Sequence, residues 1–191
     1  VPAPKRPREE VVELIGEVFR RHGYDGASLR LISETTGLGR ASLYHYFPGG
    51  KEQMGREVFD HIDACVRADL LDPLRTPGSP DDRLAAWLRG VERFYDGGRK
   101  NCLLGAMVLS GGGDRYRQEI GATFRALIDA LAQALRDAGF AAATARRRAT
   151  GAVATIQGAL VTARGIGDTE VFRHTVRDLP AQLMRPERAG S

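Results

Sequence analysis

No apolar run in this chain approaches the ~18 residues that a membrane span requires, and no stretch resembles the hydrophobic segment of a secretion signal. Both absences predict a cytoplasmic protein with no membrane partner. Cysteine is scarce as well. Cys65 and Cys102 form no CxxC pair, so a disulfide framework is excluded and two reduced thiols are expected. No segment alternates polar and apolar residues with a period of two, which excludes a half-buried sheet and leaves an all-α chain of about nine helices. Catalytic constellations are missing too. No serine or cysteine nucleophile has a readable histidine partner, which argues against an enzyme. The run Gly111–Gly113 lacks the lysine, the hydroxyl residue and the preceding strand of a phosphate-binding loop, and it reads as a flexible connection. His61 and Cys65 stand at i, i+4 with no third ligand nearby, so neither a metal nor a cofactor is expected.

What the chain does contain is helical periodicity. Residues 1–8, VPAPKRPR, read as a disordered tail, or alternatively as a basic arm for phosphates. From Glu9, the residues Val11, Leu14, Ile15, Val18 and Phe19 recur on one face. Acids lead this helix, Arg20, Arg21 and His22 close it, and Gly23 ends it. Tyr24 should pack back as a plug. A longer helix, roughly 52–71, has Met54, Val58, Ile62, Cys65, Val66 and Leu70 inside, and a loop with Pro73, Pro77 and Pro80 follows. Ser79-Pro80-Asp81-Asp82 is a helix start, opening a segment that carries Leu84, Trp87, Leu88, Val91, Phe94 and Tyr95. After a short apolar stretch at 102–109, three more helices are predicted, near 114–138, 141–165 and from 168. Pro180 should kink or end the last. The net charge of +4 is compatible with a polyanion partner without demanding one.

The stretch from Ser28 to Lys51 is the most specific. Ser28 is a good N-cap for a short helix with Leu29 and Ile32 on one face. Gly37-Leu38-Gly39 reads as a tight turn. A second helix follows, with Leu43, Tyr46 and Phe47 inward and Arg40, Ala41, Tyr44 and His45 outward. A short cationic and aromatic outer face is what a recognition helix needs to enter a DNA major groove. The run LISETTGLGRASLYHYFPGGKEQM resembles the N-terminal domain of TetR-family transcriptional regulators. NCLLG at 101–105, followed by a Gly/Asp break and a long helix, is similar to the LmrA/YxaF-like branch of that family.

The resemblance implies a helix-turn-helix DNA-binding domain at 8–51 and a ligand-binding and dimerisation domain at 52–185. It implies DNA contacts by Ser28, Arg40, Ala41, Ser42, Tyr44, His45 and Lys51. Tyr44 and Lys51 would hold phosphates, and Arg40 with His45 would reach base edges. It further implies a homodimer through residues 141–185, a palindromic operator in double-stranded DNA, and a small-molecule effector. Trp87, Val91, Phe94, Tyr95, Met107, Phe124, Ile128 and Gln157 are the candidate lining of the effector pocket, for which ordinary core packing is the competing reading. The function implied is a ligand-released transcriptional repressor. The alternative is a helical interaction or scaffold protein that keeps the fold without binding DNA. Two positions depart from the common pattern: Gly39 lacks a capping hydroxyl, and Ser33 replaces an alanine.

Overall fold

The computed structural model describes residues 6–186, and all regular structure among them is helical. In chain order the helices are α1 Arg8–Gly26, α2 Leu29–Thr36, α3 Arg40–Tyr46, α4 Gly50–Val66, α5 Asp72–Arg75, α6 Pro80–Phe94, α7 Leu103–Val108, α8 Gly112–Arg115, α9 Arg117–Asp137, α10 Ala142–Ile166 and α11 Glu170–Leu183. Two of these eleven, α5 and α8, are single turns, and the remaining nine match the expected number. A π-helical turn, Arg67–Leu71, links α4 to α5. The described residues form two compact units. The first comprises 6–64 with 102–120, and the second comprises 65–101 with 121–186.

In the first unit, α1 buries Val11, Ile15, Val18 and Phe19, each at most 3% exposed. Each such side chain contributes about 1.5–3 kcal/mol of burial free energy. The break at Gly23 is real: its backbone lies at φ +66°, ψ 178°, and a further turn runs to Gly26. A Cβ there would also stand 2.8 Å from that of Ser110, whose hydroxyl accepts the Tyr24 N–H at 2.9 Å. Tyr24 does plug back, with its ring centroid 5.6 Å from both Phe19 and Tyr116. Tyr116 is 3% exposed and donates to the Glu52 carbonyl at 3.2 Å. Its ring lies so close to α4 that a Cβ on Gly55 would sit 2.2 Å from the phenol oxygen. The segment 102–120 therefore belongs with the helix-turn-helix rather than with the residues around it in sequence. Gly112 and Gly113, read as part of a connection, open the helical turn α8. The Gly111 N–H is held by the Asp25 carboxylate at 2.7 Å.

The second unit departs from the expected boundaries in two places. The helix predicted over 52–71 stops at Val66 and passes into the π turn, where the Asp72 N–H donates to the Arg67 carbonyl. Helix then resumes to Arg75 despite Pro73. A proline in a first turn lacks only an N–H that would be unpaired anyway. Likewise Pro180 does not end α11, which continues to Leu183. The start of α6 is as read: Ser79 Oγ accepts the Asp82 N–H at 3.1 Å with Pro80 next in line. Trp87, the only tryptophan, is 3% exposed. Ile156 and Leu160 of α10 are buried, as are Phe172, Val176 and Leu179 of α11.

Candidate nucleic-acid interface

The turn between α2 and α3 is held by hydroxyl groups. Ser28 Oγ accepts the Leu31 N–H at 3.2 Å and so caps α2. Gly37 closes α2 in the left-handed region at φ +69°, with open space where a Cβ would be, so conformation and not room selects glycine there. Ser33 Oγ donates to the Leu38 carbonyl at 2.6 Å. Thr36, fully buried, donates to the Ile32 carbonyl at 2.7 Å and accepts the Leu38 N–H at 3.3 Å. The serine that departs from the family pattern thus ties the second helix to the turn. Leu38, 8% exposed, fills the angle between the helices.

Helix α3 places Leu43 and Phe47 in the core, at 1% and 0% exposure. Arg40, Ala41, Ser42, Tyr44 and His45 are all exposed, Tyr44 to 47%. That outer face carries no acidic residue, and Arg40 has no ion pair among the described residues. Gly39 caps the helix by extended backbone alone, with no side-chain acceptor. Tyr46 is only half inward, and its hydroxyl donates to the Arg6 carbonyl at 2.9 Å.

Lys51, in the first turn of α4, is half-buried. Its ammonium stands 4.7 Å from the Tyr24 ring centre and 3.4 Å from the Asp25 carbonyl. Burial lowers its pKa from the ordinary lysine value, and the Asp25 charge partly offsets this. Both contacts fix the direction of the ammonium.

Arg8 is a member of this region that composition concealed. It opens α1 where the tail was expected to continue. It grips the Glu57 carboxylate through Nε at 2.8 Å and Nη2 at 2.5 Å, and donates from Nη1 to the Tyr46 carbonyl at 2.7 Å. Its guanidinium also covers the Phe47 ring at 4.7 Å. One side chain therefore joins α1, α3 and α4. Residues 1–5 of the tail lie outside the described residues.

Of the eight residues expected around an effector, seven belong to the second unit and one to the first. Met107 belongs to the first unit and is fully buried in α7. In the second unit Trp87, Val91 and Tyr95 are buried, while Phe94, Phe124, Ile128 and Gln157 are half-buried. Gln157 donates to the Tyr95 hydroxyl at 3.2 Å, and the Phe94 and Tyr95 rings meet edge to face at 4.9 Å. None of the eight lines the open groove of the second unit, which runs between α6 and α11. His61 faces Glu13 at 3.7 Å.

Residues 14–58 match the bacterial regulatory proteins of the tetR family, and residues 82–178 match the C-terminal domain of LmrA/YxaF-like transcriptional regulators. The chain belongs to the TetR family. Its helix-turn-helix is accordingly the DNA-binding module of a TetR-family transcriptional regulator. The regulator LmrA of Bacillus subtilis (strain 168) is 30% identical over 82 residues, 43% of this chain. The matched stretch spans 44% of LmrA's own length. Among solved structures, a TetR regulator from Legionella pneumophila superposes with a TM-score of 0.77 at 19% identity. It covers 92% of this chain and 96% of its own. The TetR regulator CifR, solved with 26-bp double-strand operator DNA, is 26% identical with a TM-score of 0.71. It covers 94% of this chain and 99% of its own.

Proposed function

We propose that this TetR-family chain is a repressor that binds a palindromic operator as a homodimer and leaves it when a small, mainly apolar molecule binds the second unit. The observation that carries this reading is the outer face of α3. Arg40, Tyr44 and His45 stand exposed there without an acid, and Lys51 is braced in the next helix. In this assignment Tyr44 and Lys51 hold phosphates, Arg40 and His45 meet base edges, and Ser28, Ala41 and Ser42 approach the backbone. Residues 8–51 read DNA, and 52–185 carry self-association and effector binding.

The partner surface is the outer face of α10. Gly151, Ala154, Gly158, Val161 and Gly165 fall along one exposed stripe. Val161 is 68% exposed, and nothing lies within 4 Å of where Cβ atoms on the three glycines would be. Ile156, Leu160, Phe172 and Val176 are core of a single chain and leave this stripe to a partner. Two copies related by a two-fold axis present two recognition helices, which favours inverted half-sites about one helical turn apart or slightly more, on the order of 10 bp or above. A dimer seated on an operator excludes other proteins from the same DNA, and repression follows. For effector release, support comes from the Tyr95–Gln157 hydrogen bond set among aromatic side chains, a polar fixing point in an apolar surround. Typical coupling of about 1–3 kcal/mol would lower operator affinity roughly 5–150-fold.

Selection from random double-stranded DNA is the test. Enrichment of an inverted repeat is expected, and recovery of no repeat after several rounds would sink the reading.

A further inference from the structure

The groove between α6 and α11 has a volume of about 790 Å³, the size of a small-molecule site. Its floor is apolar. Leu84 and Leu88 lie one turn apart on α6, while Val176 and Pro180 of α11 and Met184 at its C-cap repeat every four residues. The two helices run antiparallel, because the turn after α6 meets the start of α11. A Cβ on Gly98 would stand 2.8 Å from Phe172 Cβ, and one on Gly97 would stand 3.5 Å from Arg173 Nε. At 1.5 Å per residue the floor extends about 18 Å along α6 from Asp81 to Arg93.

This direction gives the groove two unlike ends. From its middle toward Gly97 it is lined by Arg89, Arg93, Arg173 and Arg177. Arg93 is paired with Asp69 at 3.5 Å and Arg173 with Glu170 at 2.7 Å. Arg89 and Arg177 are exposed and make no ion pair or hydrogen bond among the described residues. Glu92 is the carboxylate lining that end, one against two. The far end, toward Leu84 and Met184, is apolar, with Asp81 at its mouth.

We propose that this groove binds a single-chain amphipathic anion of the alkyl carboxylate class. The head sits between Arg89 and Arg177, where a charge-assisted fork replaces water. The tail lies along Leu84, Leu88, Val176 and Met184, where an unbranched chain covers both apolar rows. No residue of α10 lines the groove, and neither do the Tyr95–Gln157 pair and its neighbours. The site is thus separate from the self-association face and from the effector position proposed above, and it stands whether or not either holds.

Titration calorimetry of the full chain tests it with decanoate, decanol and decyltrimethylammonium, each far below its micelle-forming concentration. Decanoate should bind once per chain, and decanol and the cation at least about tenfold more weakly. The double variant R89Q/R177Q should bind decanoate about tenfold or more weakly while leaving decanol unchanged. Ala85→Trp, which fills the floor from an exposed position, should abolish both. Arg75→Gln, an exposed arginine away from the groove, should change nothing. Three results would overturn the proposal: decanol binding as tightly as decanoate, full affinity in R89Q/R177Q, or a stoichiometry well above one.

Discussion

Arg40 and Lys51 are both cations of the proposed interface, but their surroundings assign them different work. Arg40 is exposed and has no ion pair among the described residues, so it can adapt to a base edge, whereas Lys51 is held between Tyr24 and the Asp25 carbonyl. Arg40→Ala should therefore relax preference by about 1–3 kcal/mol at one position per half-site. Lys51→Ala should instead weaken binding to every sequence alike and flatten its salt dependence. Competition binding against single-base operator variants, repeated at two salt concentrations, separates these outcomes. Identical profiles for the two variants would refute the division. Glu57 supports a pH prediction. Burial pushes its pKa up, but hydrogen bonds from Arg8 and Gln53 and the Arg8 charge outweigh this and hold it below the usual 4.5. A depressed folded pKa means stabilisation that is present above about pH 4.5 and is lost as pH falls through the folded value. With Arg8 46% exposed, Glu57→Gln should cost only about 0.5–1 kcal/mol at neutral pH. The gap from the unsubstituted protein should narrow on acidification below 4.5 in urea unfolding curves.

At the level of helices, the π turn Arg67–Leu71 and Gly90 of α6 have to be understood together. The Asp69 carbonyl points at Gly90 so closely that a Cβ would sit 2.0 Å from its oxygen. That neighbour is backbone and cannot rotate away. Gly90→Ala should destabilise by about 1–3 kcal/mol or more, lowering Tm by about 2–4 °C per kcal/mol. Gly121→Ala is the comparison, since its methyl meets only the movable end of Arg125. Equal melting temperatures for the two variants would contradict this account. The π turn was illegible in the sequence because Gly90, which its backbone approaches so closely, lies some twenty positions away. The helix-turn-helix, by contrast, was legible almost residue by residue. Ser28, Gly37, Leu38, Leu43 and Phe47 act through local backbone and an adjacent core. Arg8 and Tyr116 were missed because their partners, Glu57 and Glu52, lie 49 and 64 residues away. Met107 falls in the first unit and the other seven candidate effector residues in the second, a division that residue chemistry does not carry.

For the molecule as a whole, the exposed stripe of α10 is the feature that a single chain leaves unexplained. Val161 is 68% exposed while its neighbour Leu160 is 2% exposed, so the two positions test different things. Val161→Arg should leave the monomer folded and cost about 3–5 kcal/mol of association, a loss of more than about a hundredfold in dimer affinity. Leu160→Arg should instead unfold the chain. Sedimentation at micromolar concentration, with helicity checked by circular dichroism, distinguishes them. A Val161→Arg protein that remains dimeric would place the interface elsewhere.

The burial of Trp87 in the second unit has an optical consequence. Four of the five tyrosines, Tyr24, Tyr44, Tyr46 and Tyr116, belong to the first unit, and the indole belongs to the second. Emission excited at the red edge of the absorption band is therefore a signal from one unit alone, while tyrosine absorbance weights the other. A denaturant titration followed at both wavelengths resolves whether the reading head and the remainder melt as one cooperative body. If they do not, the first midpoint to appear identifies the weaker unit without any label being attached.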